Sequence, residues 1–123
     1  MNISLAINFH ENLIGSTNYG QILVWNLHSG VLLFAIKTSN KRYHIEEYNY
    51  LYGICIWDNE YIFVGGGNKT IRLIDLKTRK VVKILKGHND KVLTIKKIYH
   101  PIYKDCILSN PFNEIKLWKN QNL

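Results

Sequence analysis

The chain has no uninterrupted apolar run of about 18 residues, so it carries no candidate transmembrane helix. Its start, Met1-Asn2-Ile3-Ser4-Leu5, lacks the basic region and small-residue cleavage site of a signal peptide. Cysteine is scarce: Cys55 and Cys106 are the two present, and neither belongs to a Cys-x-x-Cys pair. This excludes a disulfide framework and predicts reduced, strand-buried thiols in an intracellular protein, of the cytoplasm or alternatively the nucleus. The five histidines show no zinc-like pairing with cysteine. No Gly-x-Ser-x-Gly element and no paired-carboxylate spacing is present. Gly65-Gly66-Gly67-Asn68-Lys69-Thr70 has the wrong spacing for a phosphate-binding loop and precedes a strand-like run, so a hairpin turn is expected there. Asp58, Asp75, Asp90 and Asp105 lie in or beside turns and do not converge. The expectation is a non-catalytic chain without a metal or cofactor.

Negative charge is also sparse. Sixteen Lys+Arg stand against nine Asp+Glu, for a formal net charge of +7. The cations are mostly Lys, scattered along strands and turns, as on solvated strand faces. The excess keeps one alternative in view, a basic surface that binds RNA or anionic lipid. Lys41-Arg42-Tyr43-His44 is the one cluster that interleaves cations with rings.

What the chain has in quantity is short apolar runs separated by turn residues. Residues 3–9, 12–16, 21–26 and 31–36 form a first set, rich in β-branched and aromatic side chains. Thr17-Asn18-Tyr19-Gly20 and His28-Ser29-Gly30 punctuate it. Residues 38–49 are the longest break and form a surface loop. The pattern restarts with 51–57, 61–64, 70–76 and 81–85. It begins a third time after Gly87-His88-Asn89-Asp90, with 92–98, 106–109 and 114–118. Eleven strands in antiparallel meanders are expected.

The third runs of each set repeat. Ile22-Leu23-Val24-Trp25 matches Ile71-Arg72-Leu73-Ile74, and both match Ile115-Lys116-Leu117-Trp118. The spacings from Trp25 to Ile74 to Trp118 are 49 and 44 residues. A period of roughly 40–45 residues fits a four-stranded blade, which cannot bury both faces without neighbours.

These residues resemble the WD-repeat β-propeller family. Thr70-Ile71-Arg72-Leu73-Ile74-Asp75 differs by one residue from the family's Thr-Ile-Arg-Leu-Trp-Asp. Gly87-His88-Asn89-Asp90-Lys91-Val92 is similar to its blade opening, and Trp118 closes that unit. The resemblance implies an all-β partial propeller of about three blades in one domain, residues 1–123. The repeats would span about 1–37, 50–86 and 87–120, with 38–49 linking the first two. The third blade would lack its last strand. Propellers close with roughly 4–8 blades, so a piece of a larger propeller is expected, completed by further blades or by self-association.

In the family, a His, a Ser or Thr, an Asp and the Trp form a hydrogen-bonded tetrad in each blade. Here His88, Ser109 and Trp118 fall near three positions, and Phe112-Asn113 near the fourth. The second repeat has Ile74 for Trp, Asn68 for Asp and Glu47 at the Gly-His position. The first keeps Trp25, with Asn18 at the hairpin. No tetrad is expected to be complete. Gly87, His88, Trp25, Asp75 and Trp118 are expected to serve structure. The resemblance further implies a protein-interaction scaffold or adaptor. One loop face would present Tyr19, Arg42, Tyr43, His44, Asn68, Lys69, Lys91 and Phe112, with Asn18, Asn89 and Asn113. Tyr, Arg and Phe are types enriched at binding hot spots. The chain has no Arg-Arg pair of the kind found in phosphoinositide-binding propellers.

Overall fold

The computed structural model describes residues 5–7, 12–16, 20–38, 50–111 and 114–120. Eleven strands occur among them. They are β1 (Leu5–Ile7), β2 (Asn12–Ser16), β3 (Gln21–Asn26), β4 (Leu32–Lys37), β5 (Leu51–Ile56) and β6 (Tyr61–Gly66). Then come β7 (Ile71–Asp75), β8 (Lys80–Leu85), β9 (Thr94–His100), β10 (Lys104–Asn110) and β11 (Lys116–Trp118). They form three antiparallel sheets with strand orders β1-β2-β3-β4, β5-β6-β7-β8 and β11-β10-β9. Every connection within a sheet joins neighbouring strands, as the spacing of the turn residues requires.

The sheets stack face to face, and alternation along each strand assigns side chains to one neighbour or the other. One core joins the first and second sheets. Ile14, Ile22, Val24 and Ile36 from the first meet Leu51, Ile62, Val64 and Ile74 from the second. A second core joins the second and third sheets, with Cys55, Phe63, Ile71 and Leu85 against Val92, Ile95 and Ile107. The middle sheet is therefore covered on both faces, and β6 shows it most directly. Ile62 and Val64 point one way, Phe63 the other, and all three are buried. Filling such a site with an apolar side chain is worth roughly 1.5–3 kcal/mol, so packing between sheets stabilises the middle one from both sides.

Three register shifts complicate the alternation, at Val24/Trp25, Leu51/Gly53 and Leu73/Ile74. An extra residue in one strand reverses the facing of the residues beyond it. It is why Leu51 shares a core with Ile54 and Ile56 although the parity differs.

The innermost strands β1, β5 and β9 lie along one another. Between β6 and the third sheet the approach is close enough to demand glycine. A Cβ on Gly65 would lie 2.7 Å from Val92 Cγ1 and 3.1 Å from Ile95 Cδ1. Gly65 and Gly66 thus end strand β6, and the expected hairpin turn is confined to the residues just after them.

Candidate functional site

The polar centre of the third sheet is built on His88, which lies in the link between β8 and β9 and is buried. Its Nε2 is 2.6 Å from Ser109 Oγ on β10. The indole Nε1 of Trp118, on β11, donates to the same oxygen at 2.8 Å. His88 Nδ1 lies 2.5 Å from Glu114 Oε1. A carboxylate only accepts, so Nδ1 carries the proton. A neutral imidazole then accepts at Nε2 from the Ser109 hydroxyl, which itself accepts from Trp118. One directed run, Trp118 to Ser109 to His88 to Glu114, satisfies these polar atoms together. Gly87 permits it: its φ is +147°, and a Cβ there would lie 2.6 Å from Lys116 Nζ. Lys116 Nζ donates to the Gly87 carbonyl at 3.2 Å.

This corrects the expectation that no tetrad is complete. The acidic member is Glu114, beside the Phe112-Asn113 positions anticipated for it. Those two residues lie outside the described ones. In the second sheet, the place of Ser109 is taken by Val64, which pairs with Arg72 as Ser109 pairs with Lys116. Val64 and Ile74 are both buried in the first core. An apolar pair there replaces the hydroxyl and the indole. In the first sheet Gly15 holds the equivalent place, pairing with Leu23, so the half-buried Trp25 meets no hydroxyl from that position.

Asp75 has a separate structural part. Its Oδ1 accepts from Lys77 N at 2.8 Å and Thr78 N at 3.3 Å, closing the β7–β8 turn. Asn26 does the same in the β3–β4 turn, accepting from His28 N and Ser29 N at 2.9 Å. A short side-chain acceptor two residues ahead of unpaired amides is the standard Asx turn.

Successive antiparallel strands alternate direction. The β6–β7 turn therefore lies at the same end of its sheet as Tyr50, before β5, and residues 86–93, after β8, and Gly20 and Thr38 mark the corresponding end of the first sheet. At that end the β6–β7 turn is tied to the residue preceding β5 and to the link between β8 and β9. Gly67 N donates to Tyr50 O at 2.9 Å, and Gly66 O accepts from Val92 N at 3.1 Å. Asn68 Oδ1 accepts from the Thr70 hydroxyl at 2.8 Å, which leaves Lys69 exposed at φ 69°. Lys91 adjoins Val92, with its Nζ 5.8 Å from the Tyr52 ring centroid. Asn89 is exposed in the same link. The structure thus gathers Asn68, Lys69, Asn89 and Lys91 on one rim. Of the other candidates, Asn18, Tyr19, Arg42, Tyr43, His44, Phe112 and Asn113 lie outside the described residues.

A buried polar contact at this end was not legible in the sequence. Thr38 Oγ1 donates to Gly20 O at 2.6 Å, and Arg72 Nη1 reaches Thr38 Oγ1 at 3.4 Å, tying the second sheet to the first. Among the described residues no group of three His, Cys, Asp or Glu is placed to hold a metal ion. Burial pushes the Cys55 thiol above its ordinary value, against the opposing influence of Lys97. No helix among the described residues is long and apolar enough to cross a membrane.

No protein-family model matches the chain. The solved structure of U3-55K superposes with a TM-score of 0.76, at 17% identity, over 98% of this chain and 37% of that one. The crystal structure of the RRP9 WD40 repeats gives a TM-score of 0.76 over 98% of this chain. The fold is that of a WD-repeat β-propeller, in part. Its blades are the three sheets, and among the described residues the third has three strands. Pre-mRNA-processing factor 19 of Mus musculus is 29% identical over 69 residues, covering 56% of this chain and 13% of that protein. The probable coatomer subunit beta' of Schizosaccharomyces pombe is 26% identical over 118 residues, 94% of this chain and 14% of that protein. The partial propeller therefore spans a small fraction of the curated relatives it matches.

Proposed function

We propose that the chain is a protein-interaction module that presents one loop face on a rigid stack of blades. The observation that carries this is the clamp on the β6–β7 turn. Backbone bonds to Tyr50 and Val92 fix the turn to the start of β5 and to the link between β8 and β9. The backbone that carries Lys69 and Lys91 is thereby set before a partner arrives, which lowers the ordering cost of binding. The residues 38–49 and the β10–β11 turn would extend the same face, bringing Arg42, Tyr43, His44 and Phe112 to it. The likeness to WD-repeat structures supports this reading through the fold.

The test is charge reversal at the rim. Tagged wild-type chain and a Lys69→Glu/Lys91→Glu variant are compared by cross-linking and mass spectrometry in their native cell extract. Proteins cross-linked to the wild type are expected to be lost from the variant, whose thermal melt stays unchanged. An identical set of cross-linked proteins would remove the rim from the account. Material recovered as RNA, and released between low and moderate salt, would support the basic-surface alternative instead.

A further inference from the structure

The β7–β8 turn of the second blade departs from its counterpart in the first. Asn26 and Asp75 hold equivalent places in the repeat, directly after Trp25 and Ile74. Further along stand Gly30 and Arg79, whose amides donate to the Asn26 and Asp75 carbonyls at 2.9 and 2.8 Å. Both are left-handed, with φ 71° and 63°. Glycine takes that conformation freely, and arginine only at a cost. A bulky side chain kept there against strain points to a use. The Arg79 guanidinium lies over the Phe34 ring of β4, 4.2 Å from its centroid.

Phe34 and β8 line a furrow between the outer strands of the first two blades. Ile84 pairs with Arg72, which reaches Thr38 beyond β4, so Ile84 is turned toward the first sheet. Val82, two residues away, shares that face. They are 49% and 51% exposed. The second blade nevertheless has a neighbour on each face, and β4 and β8 are both outer strands of four-stranded sheets. Residues 27–38 and 76–87 contain six Lys or Arg and no Asp or Glu. Asp75, which flanks the turn, has its Oδ1 engaged by the amides of Lys77 and Thr78.

We propose that this furrow takes an extended segment of a partner protein in which acidic and aliphatic side chains alternate. The argument is charge complementarity around an apolar floor. A carboxylate meets Arg79, whose planar fork donates two parallel hydrogen bonds while its face rests on Phe34. An aliphatic side chain covers Val82 and Ile84. Lys80 and Lys86, exposed at either end of β8, face further acids. Two other anionic occupants fit less well. Single-stranded nucleic acid needs open ring faces for its bases, and the guanidinium already lies over this ring. A bilayer takes up a broad apolar face, and Val82 and Ile84 are half-covered on a strand. The β7–β8 turn lies at the opposite end of its sheet from the rim at Lys69, so this inference does not rest on the loop-face reading.

The test uses the 123-residue chain and a fluorescein-labelled octapeptide of alternating glutamate and leucine. Fluorescence anisotropy at physiological ionic strength is expected to show saturable binding. An octapeptide of alternating lysine and leucine should show none, and octaglutamate should bind about tenfold more weakly or worse. Arg79→Gly should weaken binding of the mixed peptide about tenfold or more, the worth of a charge-assisted bidentate pair. Because that variant takes the residue found in the first blade's turn, it is expected to fold. Val82→Ser, at an exposed position, gives a second reading with a several-fold loss. Lys69→Glu should leave the affinity unchanged. Absence of saturable binding, equal affinity for Arg79→Gly and Val82→Ser, or octaglutamate binding as tightly as the mixed peptide would overturn the proposal. So would phosphatidylserine vesicles that retain the wild type but not Arg79→Gly while the mixed peptide fails to bind, since the occupant would then be a membrane.

Discussion

Ser109 carries more of the third blade than its size suggests. One hydroxyl serves both His88 and Trp118, so removing it leaves a buried imidazole nitrogen and an indole N–H unpaired. Ser109→Ala should cost about 2–4 kcal/mol, the penalty for two such groups. Urea unfolding followed by tryptophan fluorescence would measure it. The second blade makes the complementary point, because Val64 and Ile74 fill the same places without polar atoms to satisfy. Replacing both partners by apolar groups is nearly neutral where losing one is not. Cys55 gives a second expectation at this scale. Burial raises its pKa, so little thiolate exists near neutral pH. Both Cys55 and Cys106 should react with a thiol reagent at the rate of unfolding, and at once in denaturant. His88, Ser109 and Trp118 were legible in the sequence because their residue types match a known pattern. Glu114 was missed because an Asp was sought near Phe112-Asn113, and a Glu can reach the same nitrogen from further along the chain.

At the scale of strands, the glycine run after Val64 is informative. Gly65 belongs to β6, and its hydrogen faces Val92 and Ile95 across the second core. Gly65→Ala should destabilise by about 1–3 kcal/mol, because the neighbouring Val92 and Ile95 must move to admit a methyl group. A matched thermal melt of Gly30→Ala separates this packing effect from backbone strain. Gly30 has φ +71° and nothing near its absent Cβ. The strands themselves were legible as alternating apolar residues between turn formers. Their facing was legible only in part. The bulges at Leu51/Gly53 and Leu73/Ile74 change which neighbour a side chain meets, and a bulge depends on the partner strand, which a local pattern does not contain. The acceptors that close the hairpins, Asn26 and Asp75, were visible as turn residues.

Across the whole molecule, stability depends on sheets covering one another. The second blade contributes to both cores, so damage to it should be felt by both neighbours. Phe63 is 1% exposed and meets Trp57 edge-on at a centroid distance of 5.5 Å. Phe63→Ala should cost about 3–5 kcal/mol and loosen the third blade along with the second. Links between blades outside the cores act in the same sense. The Arg79 guanidinium lies 4.2 Å from the Phe34 ring centroid, and Lys97 Nζ donates to the Trp57 carbonyl at 2.7 Å. Native-state hydrogen exchange on the 123-residue chain tests this architecture most directly. The account predicts the slowest amides in β6 and β7, at Ile62–Val64 and Ile71–Ile74, and fast exchange along the open edge of β11. Slow exchange confined to one outer blade, or protection of β11 equal to that of β7 in the unliganded chain, would contradict it.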